Sequence, residues 1–235
     1  MKKLAALFLI AFFLYISPAK TFACTTFCLK NKGEVLFGKN YDWMIGDGLI
    51  FVNKRGVAKE GAEDKNAPKW ISKYGSVTFN QYGWENPSGG INEAGLVIEL
   101  MWLDDTQYPK AVNKPVVDVL EWIQYQLDTA ATTAEVIKNS EDLIISSDVK
   151  LHYLVNDKNG NAATIEFLNG KLVPHTGDKL PIPTLTNDTY ERSLEFSKKA
   201  GAAKALGPGS LERFARAAEK TKEFDKTAQK RKRSR

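Results

Sequence analysis

Residues 95–103 read Gly-Leu-Val-Ile-Glu-Leu-Met-Trp-Leu, an almost unbroken apolar run. A strand buried on both faces has that pattern, whereas a half-buried strand alternates. Shorter runs with strand character lie at residues 25–29, 35–41, 49–53 and 76–81. The first two flank Asn31-Lys32-Gly33, which predicts a hairpin turn. Then the period changes. Val116, Val119, Leu120, Ile123 and Leu127 recur at helical spacing, with Pro115 suited to the first helical position. Thr132-Thr-Ala-Glu135 is a capping-box pattern that opens a second helix. Strand patterns return at residues 150–156 and 162–168, joined by Asp157-Lys-Asn-Gly160, and again at 171–175 after Asn169-Gly170. Past Asn187 the pattern is helical, with Ser210 placed to cap a helix through Ala218. Residues 54–69 are polar and broken by Gly and Pro, which predicts a long surface loop. Strands, a helix pair, strands and then helices predict an α+β layered fold with helices packed on sheets.

The two ends change the picture of charge and compartment. Residues 1–23 have the layout of a secretory signal peptide: Lys2 and Lys3, an apolar run over 4–17, and small residues Thr21 and Ala23 at the third-last and last positions. The run is shorter than the roughly 20 apolar residues that a spanning helix needs. The expectation is an exported chain, periplasmic or secreted, that starts at Cys24 and has no stable membrane insertion. Residues 230–235 carry five positive charges against a formal net charge of +5, so the body without them is neutral. The signal segment takes Lys2, Lys3 and Lys20 with it. Basicity at the ends does not describe a nucleic-acid-binding face, and no nucleic-acid partner is expected. Residues 24–229 read as one domain with a sizeable core, and 230–235 as a basic disordered tail.

Two cysteines, Cys24 and Cys28, and two histidines, His152 and His175, limit the nucleophilic chemistry. A thiol is a good nucleophile only as thiolate, and its ordinary pKa is about 8.5. A cysteine paired with His152 or His175 is one route, although both histidines also fit structural places. A cysteine at the first mature position has another route, because its own α-amine, with a pKa of about 7.7–8.0, is a base near working pH. Cleavage after Ala23 would expose that amine.

Four stretches then carry a resemblance: Cys24-Thr-Thr-Phe; Phe37-Gly-Lys-Asn-Tyr-Asp42; Gly89-Gly-Ile-Asn-Glu-Ala-Gly-Leu96; and Leu185-Thr-Asn187 with Ser210-Leu-Glu-Arg-Phe214. In this order they resemble the choloylglycine hydrolase family of N-terminal nucleophile amidases, which includes bile salt hydrolases and penicillin V acylases. The resemblance implies a four-layer αββα sandwich, here incomplete at the C-terminus, and hydrolysis of linear carbon–nitrogen amide bonds. It implies Cys24 as nucleophile and, through its amine, as base. Asp42 would accept from the Cys24 amine or thiol. Asn187 would donate to the oxyanion, joined by the main-chain N–H of Trp102 at the edge of the substrate pocket. Arg213 would act electrostatically, and Lys39 stands where many members have Arg. The substrate would be a small acyl amide, no cofactor or metal is implied, and homo-oligomers occur in the family.

Other readings of the same residues stay open at this level. Asp42 also fits a turn and Arg213 a surface helix. Cys28 fits a buried thiol or a disulfide partner of Cys24. Trp43, Tyr82, Trp84 and Trp102 fit an acyl pocket or plain core. An exported chain beginning with Cys also fits a lipoprotein acylated on Cys24, tethered to a membrane as a binding or structural domain. Its α-amine would then be blocked.

Overall fold

The computed structural model describes residues 23–31, 33–62, 66–110, 113–200 and 205–233. The proposed signal segment therefore lies outside the described residues, Ala23 excepted. The apolar run becomes β8 (Val97–Trp102), the middle of a seven-stranded sheet in the order β13-β12-β11-β8-β7-β6-β3. Its partners are β3 (Leu49–Asn53), β6 (Ser76–Asn80), β7 (Pro87–Asn92), β11 (Leu151–Asn156), β12 (Ala162–Leu168) and β13 (Lys171–Thr176). A three-stranded sheet in the order β14-β1-β2 is built from β1 (Thr25–Asn31), β2 (Glu34–Asn40) and β14 (Thr184–Leu185).

One face of the large sheet packs on two helices, α1 (Val119–Thr129) and α2 (Thr133–Asp142). Trp122 of α1 stacks on Tyr153 of β11, with ring centroids 4.2 Å apart. The other face meets the small sheet through Met101 and Leu154 against Cys24 and Leu185. On the far side of the small sheet lie α3 (Tyr190–Ala200) and α4 (Ser210–Arg233), anchored by Tyr190, Phe214 and Ala218. The layers are thus α, β, β, α, as the resemblance implied.

Several local details differ from the sequence pattern. Helix α1 starts after Asp118, not at Pro115: the Asp118 carboxylate and Glu121 form a capping box. Val116–Val117 form instead the short strand β9, paired in parallel with β10 (Ile144–Ile145). The second helix has the predicted Thr132/Glu135 box. Part of the polar 54–69 segment is ordered as β4 (Ala58–Glu60), paired with β5 (Lys69–Ile71). Helix α4 does not stop at Ala218; its backbone continues through Arg233 and so includes residues 230–233 of the expected disordered tail.

The Gly89–Leu96 stretch is a structural hub. Asn92 donates to the carbonyls of Leu127 (2.8 Å) and Ala130 (2.7 Å), satisfying the C-terminal end of α1. Its Oδ1 accepts from Ala94 N (3.1 Å) and Leu96 N (3.0 Å), which folds the turn into β8. Gly95 takes φ +85° in that turn. At Gly89 a Cβ would overlap the Glu99 carboxylate, so only glycine lets that side chain lie across β7.

The two sheets are unequal in width. The small sheet covers β8, β11 and β12 and leaves the inward face of β7, β6 and β3 open. Ile50, Val52, Val77, Phe79 and Ile91 share that face by strand register and are 37–77 % exposed. Among the described residues, no helix is long and apolar enough to cross a membrane.

Candidate active site

Cys24 directly precedes β1 and is 1 % exposed, yet it lines a cavity of about 270 Å³. The lining includes Tyr41, Trp43, Tyr82 and Trp102, together with Leu100 and Leu120. Trp43 lies 6.2 Å from Trp102 and 6.5 Å from Tyr41, ring centre to ring centre, and donates its indole N–H to the Tyr82 hydroxyl at 2.8 Å. Three of the four aromatics singled out in the sequence therefore line this cavity. Trp84, 67 % exposed, does not.

The predicted residues converge from four parts of the chain. Arg213, in the first turn of α4, donates through Nη1 to the Cys24 carbonyl and to Thr25 Oγ1 (2.9 Å), and through Nη2 to Asn187 Oδ1 (2.9 Å). Its Nε donates to the Pro208 carbonyl at 3.1 Å. One guanidinium thus ties Cys24 to Asn187. Asn187 lies in the loop between β14 and α3, and its Nδ2 donates to the Trp102 carbonyl at 2.9 Å. An amide nitrogen carries two hydrogens, and Trp102 takes one of them. The Asn187 main-chain N–H donates to Ser210 Oγ at 2.8 Å. Ser210 thus anchors this loop, and α4 is instead entered through Gly209, whose carbonyl accepts from Arg213 N at 3.0 Å.

Asp42 is close, but through its main chain. The Cys24 thiol donates to the Asp42 carbonyl at 3.7 Å, and the Asp42 side chain is exposed. Lys39 on β2 pairs with Glu99 at 2.6 Å and lies 4.4 Å from the Tyr41 ring centre. Glu99 was not singled out in the sequence; a lone carboxylate inside an unbroken apolar strand is the signal that marks it. Its carboxyl is held above the usual range by burial, against the pull of Lys39.

Burial likewise pushes the Cys24 thiol up. The Asp42 carbonyl contact and the charges of Lys39 and Arg213 pull it back, while the Asp42 charge adds to the rise. Burial lowers Arg213 and lifts Tyr41 to about 12. Cys28 is a free, buried thiol that donates to Asn156 Oδ1 at 3.0 Å, with burial pushing its pKa to about 11. A disulfide with Cys24 is excluded by geometry. Four residues of extended chain span about 13 Å, and a disulfide needs Cα atoms within about 7 Å. The histidines are engaged elsewhere: His152 with Glu166 and the Thr186 carbonyl, His175 with Thr164.

The sequence model of the linear amide C–N hydrolases, choloylglycine hydrolase family, matches residues 24–205. The chain belongs to that family. A penicillin V acylase of Pectobacterium atrosepticum is 28% identical over 205 residues, 78% of this chain and 54% of its own. The structure of penicillin V acylase from Agrobacterium tumefaciens superposes with a TM-score of 0.71 at 31% identity, covering 82% of this chain and 63% of that one. Conjugated bile acid hydrolase from Clostridium perfringens shares the fold, with a TM-score of 0.71 at 20% identity over 86% of this chain and 73% of its own. The chain spans about half the length of the curated acylase it matches. The family match begins at Cys24, the residue at which the sequence pattern places cleavage.

Proposed function

We propose that this chain is an exported cysteine N-terminal nucleophile hydrolase of linear acyl amides. One observation carries the reading: Arg213 bonds to both the Cys24 carbonyl and the Asn187 side chain beside an apolar, aromatic cavity. Removal of residues 1–23 frees the Cys24 α-amine. The amine takes the thiol proton, and the thiolate attacks the amide carbonyl carbon. The second hydrogen on Asn187 Nδ2 and the Trp102 main-chain N–H take the oxyanion; losing one such donor typically costs about 10²–10³ in rate. Collapse breaks the C–N bond, and the leaving amine takes its proton from the α-ammonium. Water, deprotonated by the same amine, then cleaves the thioester and releases the acid.

Penicillin V and conjugated bile acids, named for the relatives, are the first substrates to test. A cavity of about 270 Å³ walled by aromatic rings suits an apolar or aromatic acyl group. The test begins with the N-terminal sequence and intact mass of the exported protein, followed by turnover of both amides. A chain that starts at unmodified Cys24, acylates and loses all turnover as Cys24→Ala supports the reading. Diacylglycerol on Cys24, or undiminished turnover in Cys24→Ala, overturns it.

A further inference from the structure

Beneath Asn187 lies a polar cluster that the reaction above does not use. His152 on β11 and Glu166 on β12 are both fully buried, their side chains 3.2 Å apart from Nδ1 to Oε1. The other ring nitrogen, Nε2, is 2.7 Å from the carbonyl of Thr186. A carbonyl only accepts, so Nε2 must carry a hydrogen. Glu166 Oε1 also accepts from Tyr190 N at 2.9 Å, at the start of α3. Glu166 Oε2 faces His175 Nδ1 at 3.4 Å, and that ring bonds Thr164 Oγ1 at 3.0 Å.

We propose that His152 is a positioning residue for Asn187, acting through the Thr186–Asn187 peptide. The inference rests on the hydrolase reading for the role of Asn187. The loop from β14 to α3 has to hold one side-chain amide against a developing oxyanion. It is pinned at Tyr190 N by Glu166, at Asn187 N by Ser210 Oγ, and at the Thr186 carbonyl by His152. Rotation of the Thr186–Asn187 peptide would swing the Asn187 side chain, and the imidazole is what holds the carbonyl side of that peptide. Register adds to the argument. His152 pairs with Met101, and Leu151 with Trp102, whose carbonyl accepts from Asn187 Nδ2. The same strand pair, β8 and β11, therefore grips Asn187 from its side chain and from its main chain.

The test compares His152→Asn, too short to place a donor at Nε2, with His152→Gln, whose amide nitrogen reaches that place. On the chain beginning at Cys24, H152N is expected to lower kcat about 10–10²-fold with KM within about twofold, and H152Q to recover most of the loss. The second readout needs no turnover. In protein labelled with ¹⁵N-asparagine, the Asn187 side-chain amide pair is identified by its loss in Asn187→Ser. It should shift in H152N and return in H152Q. Equal losses in both variants with an unmoved Asn187 signal would overturn the proposal, as would a parallel change of KM and kcat. If H152N does not fold, Glu166→Gln replaces it, because it changes the group bonded to Nδ1 of the ring. E166Q should shift the same signal, and no shift refutes the proposal. A native chain that cleaves no acyl amide, yet whose Asn187 signal responds to H152N and recovers in H152Q, sinks the hydrolase reading and leaves the positioning role standing.

Discussion

Arg213 gives the sharpest test of the site, because it makes two separable contributions. Its fork bonds the Cys24 carbonyl, Thr25 Oγ1 and Asn187 Oδ1, and its charge lowers the thiol pKa against burial. In Arg213→Met both are lost. Asn187 Oδ1 loses the donor opposite the Trp102 carbonyl, so one of the two contacts that orient the amide is gone and the proposed oxyanion donor is less firmly held. The expected loss is that of one donor, about 10²–10³ in kcat. The acceptors around this half-buried guanidinium lose a charged partner, which costs about 2 kcal/mol. At about 2–4 °C per kcal/mol for a domain of this size, Tm falls about 4–8 °C. Arg213→Lys separates the effects. An ammonium keeps the charge but is a point donor that cannot hold three partners in a plane. R213K should therefore keep the native pH profile for alkylation of Cys24, read by intact mass after iodoacetamide, and still lose most of kcat. R213M should move that profile to higher pH. A native-like kcat in R213M, or an unmoved alkylation profile, would refute the reasoning.

Three further outcomes follow from other parts of the structure. Thiols raised by burial form thiolate only at higher pH, so both cysteines should alkylate more slowly at pH 8 than free cysteine. With a pKa of about 11, Cys28 holds only about one part in 10³ as thiolate there and should stay unmodified in the folded chain while Cys24 reacts; rapid labelling of Cys28 would contradict its burial against Asn156. Asn92→Ala removes four hydrogen bonds from the end of α1 and the β7–β8 turn, and should cost about 2–4 kcal/mol in urea unfolding while leaving KM near native. The open face of β3, β6 and β7 should bind a hydrophobic dye, and Phe79→Lys with Ile50→Lys should reduce the fluorescence gain without lowering Tm. An unchanged gain would place the dye elsewhere.

Much of the fold was legible along the chain, for reasons that are local. The central strand announced itself as a continuous apolar run because both its faces are covered. The second helix carried its own capping box in Thr132 and Glu135. Strand β7 was hidden because its glycines give no alternating pattern; they are there to make room for Glu99 and for the neighbouring strand. Short strands such as β9, β10 and β14 exist only through their partners, since two residues carry no period of their own. Asn92 was visible as part of a motif, but its work at the end of α1, more than 30 residues away in sequence, was not.

The sequence by itself determined a cysteine at a cleavage pattern and four motif stretches, and the resemblance they carry named Lys39, Asp42, Trp102, Asn187 and Arg213 in chain order. Such motifs and a signal-peptide layout are legible because they are properties of neighbouring positions. Only the tertiary structure decided how those residues meet. It set Arg213 between Cys24 and Asn187 and turned the Asp42 contact to the main chain. It kept Cys28 on the same face of β1 as Cys24 but out of reach, and placed His152 under the Thr186 carbonyl rather than beside the thiol. Each of these depends on distance and direction between segments far apart in sequence. Such geometry is set by strand register and by the packing of helices on sheets, which no short stretch of the chain encodes.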